Sequence, residues 1–257
     1  MPVCTLEHHA LYYQTSGPPS PAVTLLFIHG SGASIESWRK QMNDLPPEIQ
    51  GIALNLPGHG LSTGPALNRV TELAEIIAEF IRQLAPPHPL ILVGHSLGAA
   101  IAMQAASLSH QAIDGLILIG GGARMRVLPA FLDSLAAGIV DPAFFALGFA
   151  PSAEPSLLEE ELRLYAEVSA DPLFQDFTAC NEFDMTGDLA ALALPMLLIV
   201  GDQDRLTPPK NSRWVQERAA DARLMIIPDA GHFAMLEKPG HVNQAIHEFI
   251  EQIRIKA

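Results

Sequence analysis

The residues best suited to chemistry are Ser96, within Gly94-His95-Ser96-Leu97-Gly98, and further along the chain Asp204 and His232. A serine hydroxyl is a weak nucleophile. It needs a base within hydrogen-bond reach and a third group to orient that base. The surroundings of Ser96 suit such work. Pro89-Leu90-Ile91-Leu92-Val93 ahead of it reads as a buried strand, and the run from Ala99 to Ala106 behind it as a buried helix. A serine between glycines at a strand-to-helix turn is a nucleophile elbow, its hydroxyl exposed at the positive end of the helix. The turn is so sharp that a Cβ at either flanking position would clash, which accounts for the glycines.

In this motif the chain order is nucleophile, acid, histidine. The acid belongs just past a later strand, and Gly201-Asp202-Gln203-Asp204-Arg205-Leu206-Thr207-Pro208 follows the apolar run Met196 to Val200. Asp204 lies deeper in that loop than Asp202 and can reach across to a neighbouring loop. The alternative position one strand earlier reads Gly120-Gly121-Gly122-Ala123 and holds no acid. The histidine is His232, in the glycine-bearing loop Pro228 to Phe233 ahead of the final helix. His95 adjoins the nucleophile, but its side chain is expected to point away from Ser96. Acyl transfer also needs donors for the developing oxyanion. Backbone N–H groups of Leu97 and of Ser31, in His29-Gly30-Ser31-Gly32, fit that role.

Stepping strands and helices must bring these loops together. Val23 to Ile28, Gly51 to Asn55, Leu90 to Val93, Leu116 to Ile119, Met196 to Val200 and Leu224 to Ile227 are continuous apolar runs, as strands buried on both faces demand. Between them, Leu73, Ile76, Ile77, Phe80, Ile81 and Leu84 keep helical spacing, as do Val242, Ala245, Ile246, Phe249, Ile250 and Ile253. This alternation predicts an α/β fold with a mostly parallel, doubly wound sheet. Val3 to Gln14 reads as an antiparallel hairpin at its edge. The rhythm breaks from 123 to 188, where helix-like pieces are punctuated by prolines and seven of the chain's 11 phenylalanines gather. The division expected is a core of residues 1–122 and 189–257 carrying a helical cap of residues 123–188, whose apolar underside helps form a substrate pocket.

Composition narrows the function. The 257 residues are 49% hydrophobic, enough for one sizeable core, and no run of about 18 apolar residues suggests a membrane span. Net charge is −13 with no basic run, which argues against nucleic acid. Twelve acids against three arginines fall between Arg124 and Asp188, which reads first as a solvated helical surface. The sharper alternative is a negative potential near the active-site entrance that would disfavour anionic substrates. Arg124 and Arg126 read as a solvated hinge, with cationic groups in a pocket for dianionic substrates as the alternative. Cys4 and Cys180 form no disulfide framework, and no secretory segment is visible, so a cytoplasmic setting is expected. No phosphate loop, dinucleotide fingerprint or metal-ligand spacing appears, so neither cofactor nor metal is expected.

Taken together, His29-Gly30-Ser31-Gly32, Leu56-Pro57-Gly58-His59-Gly60-Leu61-Ser62, the Ser96 pentapeptide, Gly201 to Asp204 with Pro208, and Ala230-Gly231-His232-Phe233 with Glu237-Lys238-Pro239 resemble the α/β-hydrolase fold serine hydrolases over essentially the whole chain. The resemblance implies Ser96, Asp204 and His232 as a catalytic triad and the 123–188 interval as a cap. Asn55 departs from it, standing where many relatives carry aspartate, and bears on loop packing rather than catalysis. The expected activity is hydrolysis of small, neutral apolar carboxylic esters through an acyl-serine intermediate, by a monomer or small homo-oligomer. Carbon–carbon bond hydrolases, enol-lactonases and cofactor-free haloperoxidases share the same equipment. A non-catalytic ligand receptor on this fold is the alternative of another class.

Overall fold

A strand covered on both faces must be apolar at every position, and Val23–Ile28 is buried at all six. In the computed structural model, which describes residues 2–256, it is β3 of a single eight-stranded sheet. The others are β1 (Val3–Thr5), β2 (Ala10–Ser16), β4 (Ile49–Leu54), β5 (Leu90–His95), β6 (Gly115–Ile119), β7 (Met196–Gly201) and β8 (Ala222–Ile227). Their spatial order is β1-β2-β4-β3-β5-β6-β7-β8. The strands from β3 to β8 run parallel, while β2 is antiparallel to both β1 and β4. The opening hairpin therefore sits at the sheet edge, as its residues suggest.

Helices are α1 (Arg39–Met42), α2 (Val70–Leu84), α3 (Leu97–Leu108), α4 (Pro129–Ala136), α5 (Pro142–Ala146), α6 (Pro155–Ala166), α7 (Ala170–Glu182), α8 (Pro209–Gln216), α9 (Ala234–Glu237) and α10 (Pro239–Lys256). Alternate strand residues face opposite layers. Leu26, Leu92, Leu116 and Leu198 join the apolar cluster of α2 and α3, whereas Phe27, Val93, Ile117 and Ile199 join that of α10. The strand β8 departs from the all-buried expectation: Leu224, Met225 and Ile226 are only part-buried, and Arg223 is exposed. It is the outermost strand, so its far edge has no neighbour and the flanking helices cover it incompletely.

Three of the five prolines that break up the 123–188 interval in sequence begin its helices. Pro129, Pro142 and Pro155 occupy the first positions of α4, α5 and α6, where an absent N–H costs nothing. The interval leaves and rejoins the sheet through a paired stem. Met185 N donates to Ala123 O at 2.7 Å, and Arg124 and Asp184 form an antiparallel bridge.

Winding reverses at β3, with β4 on one side and β5 on the other. At such a switch point the loops leaving adjacent strands diverge and open a crevice at the carboxyl edge of the sheet. Here those loops carry Ser31, after β3, and Ser96, after β5. Phe80 of α2 is fully buried, edge-on to Tyr13 at 5.5 Å, and helps clamp α2 to the antiparallel end. Phe80→Ala is expected to cost about 3–5 kcal/mol in urea unfolding. A loss below about 1 kcal/mol would mean that this contact does not hold the layer.

Candidate active site

Ser96 sits in a backbone conformation that few non-glycine residues adopt, φ +53° and ψ −114°. Its N–H donates to Ile119 O of β6 at 2.9 Å, and its carbonyl accepts from Ala99 N at 3.0 Å, so both sides of the turn are tied down. The flanking glycines are sterically required. A Cβ on Gly94 would overlap the Gly98 carbonyl, and one on Gly98 would overlap the Ile28 carbonyl of β3. The N–H groups of Leu97 and Ser31 make no hydrogen bond to the protein among the described residues. Leu97 begins α3, so its N–H lies at the positive end of that helix.

Asp204 and His232 are brought together. His232 Nδ1 lies 2.8 Å from Asp204 Oδ2, and both side chains are buried. The carboxylate also accepts from Leu206 N at 2.9 Å, Thr207 N at 2.8 Å and the Thr207 hydroxyl at 2.8 Å. Burial alone would raise its pKa. The His232 charge and hydrogen bond and the two Thr207 donors outweigh burial and hold it below the usual carboxylate value. Asp202, the alternative acid, is exposed. Ser96 shares one cavity wall with His232, but no hydrogen bond joins the hydroxyl to the imidazole among the described residues.

Thr207 is a site residue that sequence reasoning missed. Its hydroxyl contacts Asp204, Gly120 O at 2.7 Å and His232 Nδ1 at 3.0 Å. The Asp-x-x-Thr spacing of a turn that folds back on its own carboxylate was the available signal. His95 also takes part. Its Nε2 donates to His232 O at 3.0 Å, fixing the backbone of the histidine loop, and burial pushes its pKa down to about 3. On the other side, His232 N donates to Gly148 O at 2.5 Å, and Glu237 accepts from Gly231 N and Ala150 N at 3.0 and 2.9 Å.

The Ser31 loop is held with equal care. His29 accepts from Leu56 N at 3.0 Å through Nε2, so Nδ1 carries the proton and donates to Gly30 O at 2.8 Å. Burial, helped by the nearby His59, lowers its pKa to about 3. Asn55 Oδ1 accepts from Ile35 N at 2.9 Å, so the departure at this position still packs the loop. From α7, Asp176 accepts from Gly32 N at 2.8 Å and lies 3.0 Å from His59 Nε2. The other nitrogen of His59 faces Pro57 O at 2.9 Å. The Pro57 carbonyl can only accept, so Nδ1 carries a proton. Burial disfavours a second proton, on Nε2, but the Asp176 carboxylate beside it prevails and raises the His59 pKa.

A cavity of about 970 Å³ opens between these loops and the 123–188 segment. Phe144, Phe145, Phe177, Met125 and Val127 supply its apolar wall, and Ser31, Ser96 and His232 its polar end. No carboxylate lines the cavity among the described residues, so the alternative of an acidic entrance fails. Acids of the segment such as Glu154, Glu159 and Glu167 are exposed, in keeping with a solvated surface.

This arrangement has relatives. Residues 25–245 match the Alpha/beta hydrolase family, and the chain belongs to that family. It is 28% identical over 259 residues to a pimeloyl-[acyl-carrier protein] methyl ester esterase of Edwardsiella ictaluri, covering 94% of this chain and 98% of that one. It is also 28% identical to the dihydrolipoyllysine-residue acetyltransferase component of an acetoin cleaving system from Pseudomonas putida; the match covers 89% of this chain but only 63% of that longer protein. Among solved structures, a thermophilic esterase superposes with a TM-score of 0.86 at 28% identity, covering 98% and 97% of the two chains.

The buried His59–Asp176 pair yields a signed expectation. A raised folded pKa stabilises fully below the ordinary imidazole value of 6.5 and is lost as pH climbs through the folded value. Asp176→Asn should therefore cost about 3–5 kcal/mol near pH ~6 and progressively less at alkaline pH, read by urea unfolding across pH. A cost independent of pH would contradict a raised His59 pKa.

Proposed function

We propose that this hydrolase is a serine carboxylesterase, with Ser96 as nucleophile, His232 as general base and acid, and Asp204 as the group that orients and stabilises the imidazole. The observation that carries the reading is the buried Asp204–His232 contact at the wall of the cavity into which the strained elbow presents Ser96. Esterase relatives of comparable length support the same chemistry.

In this mechanism His232 Nε2 takes the Ser96 proton as Oγ attacks the ester carbonyl. Binding of substrate completes the Ser96–His232 hydrogen bond, since such contacts tighten on complex formation. The tetrahedral oxyanion is received by the N–H groups of Ser31 and Leu97, which have no competing acceptor among the described residues. His232 then protonates the departing alcohol, leaving the acyl group on Ser96. Water, deprotonated by His232, attacks the acyl-serine, and the serine is released with its proton restored.

Residues 123–188 act in this reading as a cap on a core of residues 1–122 and 189–257, its aromatic underside receiving the apolar part of the ester. The Phe145 ring stacks on Tyr165 at 4.1 Å, and Phe131 stacks on Phe144 at 3.5 Å, so the wall is braced by rings behind it. The two buried, unbridged cysteines suit a reducing, cytoplasmic setting.

A panel of p-nitrophenyl esters tests the reading. Wild type should turn over short and medium acyl esters, and Ser96→Ala should lower kcat by roughly 10⁴-fold or more with the fold retained by circular dichroism. Turnover that survives Ser96→Ala, or wild type that only binds esters without cleaving them, would remove the esterase assignment.

A further inference from the structure

The chain carries 15 Lys and Arg against 28 acids, yet four of those cations line the cavity at Ser96 and no acid does among the described residues. They arrive from two stretches of chain. Arg124 and Arg126 stand on the stem that follows β6, while Arg205 lies in the Asp204 loop and Lys210 in the first turn of α8. The first two are already partnered. Asp184 lies 3.3 Å from Arg124 and 3.6 Å from Arg126, and Arg126 also donates to Met125 O and Asn181 O at 2.6 and 2.8 Å. Arg205 and Lys210 have no ion pair and no hydrogen bond among the described residues. Two cations facing a cavity without counter-charge, in a molecule with acids to spare, make a positive mouth on an apolar channel.

We propose that Arg205 and Lys210, flanked by Arg124 and Arg126, form an anion subsite at the mouth of the cavity, and that the substrate is an ester with a carboxylate at the far end of one of its two chains. The proposal rests on the esterase reading and names its substrate class. The reacting carbonyl lies at Ser96, the methylene chain lies along Phe144, Phe145 and Phe177, and the terminal carboxylate meets the cations at the rim. An uncharged ester gains the apolar wall but leaves the cations unused. The rim cations are exposed, so their attraction is screened and contributes a selectivity of about tenfold, declining as salt is raised.

Paired substrates test this. Monomethyl adipate and methyl hexanoate compare a carboxylate on the acyl side with its uncharged counterpart. An acetate ester of 6-hydroxyhexanoic acid and hexyl acetate make the same comparison on the alcohol side. In one pair, kcat/KM should favour the charged ester by about tenfold, and which pair responds identifies the side that faces the rim. The ratio should fall toward one in Arg205→Gln/Lys210→Gln, but not in Arg223→Gln, which lies on β8 and pairs with Glu248. A second measurement stands apart from hydrolysis. Adipate should raise the Tm of the Ser96→Ala protein more than hexanoate does, and that difference should vanish when Arg205 and Lys210 are also replaced. Equal rates within both pairs, or a preference that outlasts the double substitution, would overturn the subsite. Adipate stabilisation without turnover of any ester would keep the subsite and defeat the esterase reading instead.

Discussion

One buried carboxylate sets the terms for everything around it. Asp204 stays ionised in a place that excludes water because Leu206 N, Thr207 N, the Thr207 hydroxyl and His232 Nδ1 all point at it. Without those donors a buried anion would cost several kcal/mol, and the site would relax by protonating it. The donors come from a loop that exists only because β7 ends beside β6 and β8. Thr207 reaches back to Gly120 O at the end of β6, and Gln203 N donates to Ala230 O in the histidine loop. A parallel sheet provides this geometry naturally, since consecutive strands deliver their loops to the same edge. The imidazole is therefore fixed by the architecture rather than by its own loop.

The segment between β6 and β7 braces the loops of the site. Gly148 O holds His232 N, Ala150 N holds Glu237, and Asp176 holds Gly32 N and His59 together. A further tie joins Arg39 of α1 to the buried Glu161 of α6 at 2.7 Å. Both the histidine loop and the Ser31 loop thus take part of their shape from residues well outside the sheet. In the proposed mechanism the rigidity of these loops matters, because oxyanion donors contribute only when they are aimed before the charge develops.

Much of this was legible in the sequence, and the reason is locality. The glycines around Ser96, the apolar runs of β3, β5, β6 and β7, and the loop positions of Asp204 and His232 depend on residues a few positions apart. Where the structure added or corrected something, the cause was contact between distant parts of the chain. His59 and Asp176 are unremarkable until α7 is laid over the β4 loop. The acid count of the 123–188 segment suggested a solvated surface but not that Glu161 and Asp176 are buried. The sequence left Arg124 and Arg126 between a hinge and a pocket, where they stand on the stem and line the cavity as well. In the same way, the apolar letters of β8 could not reveal that it ends the sheet.

Trapping the covalent intermediate tests the central claim most directly. Rapid acid quench of wild type with a p-nitrophenyl ester, followed by peptide mass mapping, should find one acyl group on the peptide that contains Ser96. An acyl group on any other residue, or ester turnover with Ser96 never modified, would contradict the account.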